Sequence, residues 1–303
     1  MRKEFGEAIV KLATNDKRIW VVSMDLKSSL FLNEFANKFP DRFIEVGVAE
    51  QSGAGIAAGL AKTGKIVFLC SFACFSPAIN WAVIRQSISY NKMPVKIIGS
   101  HAGLITGDLG ATHQMLEDVA LMRKMPNMEV VAPLNGEEIK KMVKVIAYSK
   151  KPTYVRLTRE TYGTIDYKIN NFTIGKSEIL KSGKDVTIVG YGPILNLAVE
   201  AQGKTSKSLE IINCSSIKPF DEKTILKSIT KTKKLIVIED HQKMGGLGEG
   251  VASMILKSKI NNIKFVHLGV DDKFGETEKD IGKIWNDYKI GIENLMEAIE
   301  CMT

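Results

Sequence analysis

The sequence predicts an α/β fold, a doubly wound parallel sheet followed by a second, smaller α/β domain. Apolar runs of strand length alternate with amphipathic or small-residue segments of helix length along the chain. The 303 residues, 45% of them hydrophobic and 25% charged, are enough for two compact domains of ordinary composition. Such alternation is typical of parallel sheets, which bind ligands at the carboxyl ends of their strands.

The first half of the chain supplies most of this pattern. After an amphipathic helix at 4–14, five apolar segments are predicted as buried parallel strands: 18–23, 65–70, 95–99, 128–132 and 152–157. The apolar run 43–51 leads into a helix of small residues at 52–61, and a further helix is predicted at 79–90. We therefore predict a first domain at 1–165.

A second alternating unit follows a polar stretch. Residues 160–183 contain Gly and Lys and lack a long periodic run, so we predict a linker at 166–183. The second domain is predicted at 184–303, with its strands at 185–190, 209–213, 234–239 and 263–268.

The charge and cysteine content exclude several classes of protein. The net charge is +8, but the lysines are scattered, and no basic arm is interleaved with aromatic residues. Nucleic acid is therefore not expected as a partner, whereas an anionic substrate or an acidic subunit fits. The four cysteines form neither a Cys-x-x-Cys pair nor a disulfide pattern. No apolar stretch reaches membrane-spanning length, and residues 1–4 lead straight into a helix, so we expect a cytoplasmic protein without a signal peptide.

Glu50 is the most informative residue. It ends the run 43–51, where a carboxyl group is costly to desolvate unless something in a pocket uses it. The next strand leads to Phe72 and Phe75, which places two aromatic rings in the neighbouring crevice. A carboxylate beside rings suits a flat heteroaromatic cofactor with a protonated ring nitrogen. The alternatives are a carboxylate stabilised by a helix dipole and two rings that only pack in the core.

Two of the four histidines lie in glycine-containing loops. His101 and His113 are suited to polarising a carbonyl group or moving a proton. No metal site is predicted, because no cysteine or third histidine lies at ligand spacing. His241 and His267 lie in the second half, and we interpret them as structural.

Several motifs, taken together, resemble the pyrimidine-binding half of transketolase. They are Arg2, residues 24–26, Glu50, the Phe72 and Phe75 pair, residues 99–101, residues 110–114, Arg156 and Arg159. The usual magnesium and diphosphate element of thiamine enzymes, a Gly-Asp-Gly run followed by paired Asn, is absent from the sequence. The chain therefore resembles the C-terminal subunit of a split transketolase.

The resemblance implies a reaction and an assembly. It implies thiamine diphosphate and Mg²⁺ as cofactors, held mainly by an N-terminal transketolase subunit that carries the diphosphate-binding domain, in an α2β2 heterotetramer. It also implies transfer of a two-carbon ketol unit from a ketose phosphate or sulfonated ketose to an aldose phosphate. Cofactor residues would be Glu50, which protonates the pyrimidine ring, Phe72 and Phe75, which hold that ring, and Asp25 near the thiazolium ring.

The substrate residues are also carried over from the family. His101 and His113 would contact the sugar oxygens, and with Glu50 they form the expected catalytic set. Arg2, Ser29 and Arg159 would bind the far phosphate, since a guanidinium fork suits an oxyanion. Arg156 is expected at the sheet edge or in the domain contact.

Two departures from the family bear on the substrate. Leu109 stands where the family usually has Asp, and Ile79 lies in a helix start that usually carries Arg. We interpret them as marks of a different sugar, such as a deoxy or sulfonated ketose. The alternatives are a deoxyxylulose-phosphate synthase-like subunit, a 2-oxo acid dehydrogenase beta-like subunit, or a non-catalytic assembly subunit. The glycine-rich stretch 239–248 lacks the full dinucleotide fingerprint and is interpreted as structural.

Overall fold

The computed structural model describes residues 1–163 and 171–302, which form two sheets flanked by helices. The strands are β1 (Ile19–Ser23), β2 (Phe43–Glu45), β3 (Ile66–Phe72), β4 (Lys96–Ser100), β5 (Glu129–Val131), β6 (Thr153–Arg156), β7 (Glu178–Lys181), β8 (Val186–Gly190), β9 (Leu209–Asn213), β10 (Ser216–Lys218), β11 (Lys234–Gln242) and β12 (Lys264–Val270). The α-helices are α1 (Arg2–Asn15), α2 (Asn33–Lys38), α3 (Glu50–Lys62), α4 (Trp81–Val83), α5 (Asp118–Lys124), α6 (Gly136–Ala147), α7 (Asn196–Gln202), α8 (Glu222–Thr232), α9 (Leu247–Lys257), α10 (Ile281–Asp287) and α11 (Ile292–Cys301). The helix begun by α4 continues as a π-helix over Ile84–Tyr90.

The first sheet has seven strands in the order β10-β5-β6-β4-β3-β1-β2. All neighbouring pairs are parallel except β10, which runs antiparallel to β5. The chain leaves β1 for β2 on one side and returns to β3 on the other. This reversal creates a crevice at the carboxyl ends of β1 and β3, where doubly wound sheets bind ligands.

Both faces of the first sheet are covered, so its strands are apolar on both sides. Val21 and Phe68 pack with α1 and α6, whereas Val22 and Leu69 pack under α3. Helix α3 can lie close to the sheet because the residues on its buried face are small; a Cβ added at Gly53 would lie 2.8 Å from the Met24 sulfur.

The second sheet has the order β12-β11-β8-β9-β7, with only β7 antiparallel to its neighbour. Helices α7, α10 and α11 share one apolar core with this sheet, and α8 and α9 pack on its other side. The core under α8 and α9 is continuous with the core under α3. Because β10 also extends the first sheet, the two halves of the chain form one packed structure.

The expected α/β fold class is confirmed, with two differences in detail. β7 lies inside the segment 166–183 that we predicted as a linker, since a short edge strand with a single buried residue, Leu180, leaves no periodic pattern. β10 was not predicted. The proposed boundary at 165 and the linker residues 166–170 lie outside the described residues, and the division into domains stays a prediction. No helix in the described parts of the chain is long and apolar enough to cross a membrane.

Candidate active site

The predicted site residues converge on one edge of the first sheet. Asp25 lies shortly beyond the end of β1, and Glu50 lies a few residues beyond the end of β2. His101 directly follows β4, and Phe72 is the last residue of β3. Arg159 comes three residues after β6. Because parallel strands all end at the same edge, these five side chains lie around the crevice created by the chain reversal at β1.

Glu50 is the first residue of α3 and is only 6% exposed. Its backbone oxygen accepts a hydrogen bond from Asn80 Nδ2 at 3.1 Å, and the same amide group donates to Ser76 Oγ at 3.1 Å. Nothing within 1–163 or 171–302 donates a hydrogen bond to the Glu50 carboxylate. A buried carboxyl group without a donor destabilises a folded chain, although the α3 dipole offsets part of this cost. The Oδ1 atom of Asn80 is likewise buried without a partner in the part of the chain described.

Four aromatic rings form a cluster beside this carboxyl group. Phe72 and Phe75 are stacked, with ring centroids 5.9 Å apart and planes inclined by 19°. The His101 ring lies 3.7 Å from that of Phe72, and the His113 ring lies edge-on to Phe75 at 5.6 Å. Burial and the nearby Glu50 raise the pKa of Cys74 to about 12, so its thiol stays protonated.

His101 is held in an unusual conformation at the end of β4. Its φ angle is +59°, in the left-handed region, and its backbone oxygen accepts a hydrogen bond from Thr106 Oγ1 at 2.7 Å. Burial, followed by the charges of Arg2 and Arg159, lowers the pKa of His101 to about 3. The ring is therefore neutral at neutral pH. Its Nδ1 lies 3.0 Å from Ser100 Oγ, which leaves Nε2 for a ligand.

The three residues predicted to bind the acidic end of the substrate come together. Arg2 donates to the backbone oxygens of Arg159 at 3.0 Å and of Ser29 at 2.9 Å. Arg159 in turn donates to the Thr106 backbone oxygen at 3.1 Å and is paired with Asp108. Two carboxylates that the sequence analysis missed therefore balance the arginines: Asp108, and Glu160, which lies 3.7 Å from Arg2 and 3.5 Å from Arg159.

Asp25 stands exposed at the same edge, with a φ angle of +59°. Its backbone N–H donates to Glu45 Oε1 at 2.7 Å, and that oxygen also accepts from the Gly47 N–H at 3.2 Å. Glu45 thus ties the ends of β1 and β2 together. It was not predicted as a site residue, although a charged group inside the apolar run 43–51 could have indicated it.

The remaining sequence assignments have simple positions. Ile79 and Leu109 are 52% and 37% exposed. Arg156 is buried and contacts the backbone oxygen of Asp240 at 2.7 Å, which agrees with a domain contact. His241 Nε2 accepts from the Ala120 N–H at 3.3 Å, in keeping with a structural histidine. Within 1–163 and 171–302, no group of three or more His, Cys, Asp or Glu side chains is placed to hold a metal ion.

The glycine-rich stretch of the second half forms the start of a helix. Glu239 is fully buried and accepts from the N–H groups of Leu247 at 2.8 Å and Gly248 at 2.9 Å, at the N-terminus of α9. Tyr191 and His267 also bond to it, at 2.9 Å and 2.7 Å. Glu239 therefore caps the first turn of α9, and the structural interpretation of the stretch stays a prediction.

Fold and site together define a subunit of a doubly wound α/β enzyme, with a buried carboxyl group and stacked rings at its crevice. Residues 1–164 match the family model described as "Transketolase, pyrimidine binding domain", and residues 175–274 match "Transketolase, C-terminal domain". The chain belongs to the transketolase family. The family recognition is therefore confirmed.

Curated relatives support the same assignment. A protein from Phocaeicola vulgatus that is named as a subunit of apulose-4-phosphate transketolase is 35% identical over 266 residues, covering 86% of this chain and 84% of that protein. A 6-deoxy-6-sulfo-D-fructose transketolase subunit from Clostridium sp. is 33% identical over 279 residues, covering 91% and 86%. Both are similar to this chain over most of their length.

A solved structure is similar over the whole chain. "Split gene transketolase, inactive beta4 tetramer" has a TM-score of 0.90 and 35% identity, and the match covers 99% of this chain and 97% of that one. The chain is thus a transketolase-family subunit, and the family implies dependence on thiamine diphosphate and an N-terminal partner subunit. The roles of individual site residues stay predictions.

Proposed function

We propose that this chain is the C-terminal subunit of a thiamine-diphosphate-dependent transketolase. In this proposal it helps transfer a two-carbon ketol unit from a ketose phosphate or sulfonated ketose to an aldose phosphate. The observation that carries the proposal is the Glu50 carboxyl group, which is buried beside the stacked Phe72 and Phe75 rings and receives no hydrogen bond from the residues that the structure describes. A pyrimidine ring complements both features, because its ring nitrogen can bond to the carboxyl group and its flat faces can pack against the phenylalanine rings.

The residues around the crevice fit that cofactor. When bound, thiamine diphosphate supplies a nucleophilic carbon and an electron sink. Glu50 holds a proton against the ring nitrogen, in surroundings where burial strengthens the hydrogen bond. Phe72 and Phe75 orient the ring and exclude water. Asn80 Oδ1, which has no partner among the described residues, is a further acceptor near the start of α3.

The histidines serve the sugar. Because His101 is neutral, its Nε2 binds a substrate hydroxyl group as an uncharged hydrogen-bonding partner, and the ring does not act as a cation. His113, whose Nδ1 lies 2.9 Å from Thr112 Oγ1, is half-buried and accessible for the same kind of contact.

The acidic end of the substrate is assigned to the arginine cluster. Arg2 and Arg159 present guanidinium groups within one small volume, and guanidinium binds phosphate and sulfonate oxygens alike. The two relatives are named for a phosphate and a sulfo sugar, which agrees with a site of this type. The identity of the sugar, and the interpretation of Leu109 and Ile79, stay open to test.

The N-terminal partner is proposed to pack on the outer face of α3. This face is small and apolar: a Cβ added at Gly55 or Gly59 meets nothing within 4 Å, and Ile56 is 39% exposed. Val48, just before the helix, is 79% exposed. Because Glu50 begins the same helix, a partner seated here would close the crevice, bring the diphosphate and Mg²⁺ site, and complete an α2β2 enzyme. The cytoplasmic location stays a prediction.

The test compares Glu50→Gln with the wild-type chain, each mixed with the partner subunit, thiamine diphosphate and Mg²⁺. We expect loss of ketol transfer on the order of a hundredfold or more with assembly intact, since general acid–base catalysis contributes that much. Glu7→Gln is the matched control, because Glu7 is exposed on α1 and pairs with Lys140 at 3.5 Å. Full activity of the Glu50→Gln enzyme would refute the proposal.

The same assay separates the alternatives. Pyruvate as the donor would indicate a synthase-like or dehydrogenase-like subunit. Assembly without turnover of any donor would indicate a non-catalytic role. The arginine cluster favours a phosphorylated or sulfonated sugar over pyruvate alone.

A further inference from the structure

One short turn connects both groups of substrate residues. It covers Leu104–Leu109, where two short 3₁₀ segments meet at a kink at Gly107, and is called here the substrate turn. Thr106 Oγ1 donates to the His101 backbone oxygen at 2.7 Å, and the Thr106 backbone oxygen accepts from Arg159 at 3.1 Å. Asp108 in the same turn pairs with Arg159. The position of the substrate turn therefore determines the positions of His101 and Arg159 together.

The start of the substrate turn is held by a carboxylate from the second half of the chain. Asp240, in β11, is 3% exposed, and its two oxygens accept from the N–H groups of Leu104 at 2.8 Å and Ile105 at 3.2 Å. Gly103 has a φ angle of +89°, and a Cβ added there would lie 2.4 Å from Asp240 Oδ2. Asp240 itself is held through its backbone oxygen, which accepts from Arg156 at 2.7 Å.

The other end of the turn contacts the second half as well. Gln114, 3% exposed, donates from Nε2 to the backbone oxygens of Gly107 and Glu276, both at 2.9 Å. A Cβ added at Gly110 would lie 2.6 Å from Thr277 Oγ1. The substrate turn is thus clamped at both ends by residues from beyond position 239.

We propose that the C-terminal domain is a positioning element for the substrate, with Asp240 as its main positioning residue. This inference rests on the proposed function and deepens it, because it assigns the C-terminal domain a part in substrate binding. Asp240 touches neither cofactor nor substrate. It acts through Leu104 and Ile105, since a carboxyl group whose two oxygens each accept an N–H group fixes both of these backbone positions. His101 and Arg159 are then fixed in turn.

The test is Asp240→Asn in the full chain assembled with its partner subunit. The asparagine oxygen accepts one of the two N–H groups, but its amide nitrogen faces the other, so one end of the turn is released. We expect faster hydrogen–deuterium exchange at Leu104 and Ile105. We also expect the KM for the ketose to rise, or kcat/KM to fall, on the order of tenfold, as small misplacements of binding groups produce. Thiamine diphosphate affinity is expected to stay unchanged.

Two further variants make the outcome decisive. Asp271→Asn is the matched control, because Asp271 is exposed in the same domain and pairs with Lys243 at 3.0 Å. If Asp240→Asn fails to assemble, Gln114→Met tests the opposite end of the turn by the same measurements. Wild-type exchange and ketose KM in the assembled Asp240→Asn enzyme, or in Gln114→Met where it takes its place, would overturn the inference. Full activity of Glu50→Gln would instead overturn the proposed function, so the two failures are distinguishable.

Discussion

A buried ion pair in the first half of the chain holds an arginine that also contacts the second half. Arg156 and Asp118 are 3% and 0% exposed, and Arg156 Nε lies 3.2 Å and 3.1 Å from the two carboxylate oxygens. Tyr154 donates to the same carboxylate at 2.8 Å, and Arg156 also donates to the Asp240 backbone oxygen at 2.7 Å. Replacing Arg156 with Met keeps much of the side-chain volume and removes the guanidinium group that donates to Asp118 and Asp240.

The loss of folding stability in Arg156→Met follows from the Asp118 charge that remains in the core. Among the residues described, Asp118 would keep one side-chain donor, Tyr154, and its burial leaves no solvent to stabilise its charge. Removing one partner of a buried pair destabilises a protein by about 3–5 kcal/mol, because the other charge is left uncompensated. Adding Asp118→Asn removes that charge, so we expect the double variant to be more stable than Arg156→Met alone, with a coupling of about 1–3 kcal/mol.

Urea denaturation, monitored by far-UV circular dichroism, measures the free energy of unfolding of the four proteins in this double-mutant cycle: the wild type, the two single variants and the double variant. Arg18→Met is the control, because Arg18 pairs with Asp16 on the surface, at 2.7 Å, and is expected to change the midpoint little. The reasoning fails if Arg156→Met unfolds within about 1 kcal/mol of wild type, or if the two substitutions are additive.

Three other predictions concern the site. The His101 ring should stay neutral in an NMR titration down to about pH 4, since its pKa is about 3. Arg159→Gln should raise that pKa, because it removes a nearby positive charge. A His101 ring that titrates near pH 6.5 in the wild-type chain would contradict the first prediction. In the unfolded chain His101 is protonated near its ordinary pKa, whereas in the folded chain the ring stays neutral down to its lowered pKa. The stability associated with the buried neutral ring is therefore present at neutral pH and is lost as the pH falls through 6.5 towards 3. Gly59→Ala should stabilise the isolated chain against denaturation by about 0.5–1 kcal/mol. The same substitution should weaken assembly with the partner subunit, as measured by sedimentation, and unchanged assembly would argue against the α3 face as the partner-binding surface. Leu109→Asp should raise turnover of ordinary sugar phosphates relative to the native substrate, and an unchanged ratio would contradict the substrate hypothesis.

The sequence predicted the parts of the fold that carry a local pattern. Strands β1, β3, β4 and β6 are apolar runs, and α3 is recognisable from its small residues and the carboxyl group at its start. Glu50 could be identified because a charge at a strand-to-helix junction is locally anomalous. β10 could not be predicted, because it is three residues long and pairs with β5, some eighty residues earlier.

The acids that support the site were missed for the same reason. Asp240 reaches Leu104 across 136 positions of sequence, and its own surroundings look like the end of an ordinary buried strand. Glu160 and Asp108 acquire meaning only when folding brings Arg2 and Arg159 together. A contact formed between distant residues has no periodicity, so a single sequence does not reveal it.

These hidden acids explain how two strained residues are maintained at the crevice. Asp25 and His101 both adopt left-handed φ angles of +59°, a conformation that costs about 1–3 kcal/mol each when surrounding contacts enforce it on a non-glycine residue. Glu45 binds the N–H of Asp25, and Asp240 holds the turn whose Thr106 binds the His101 backbone. The sharp turns that place Asp25 and His101 at the crevice are thus enforced by carboxylates outside the predicted catalytic set. Loss of Glu45 or Asp240 should therefore disturb the site without removing any group that contacts a ligand.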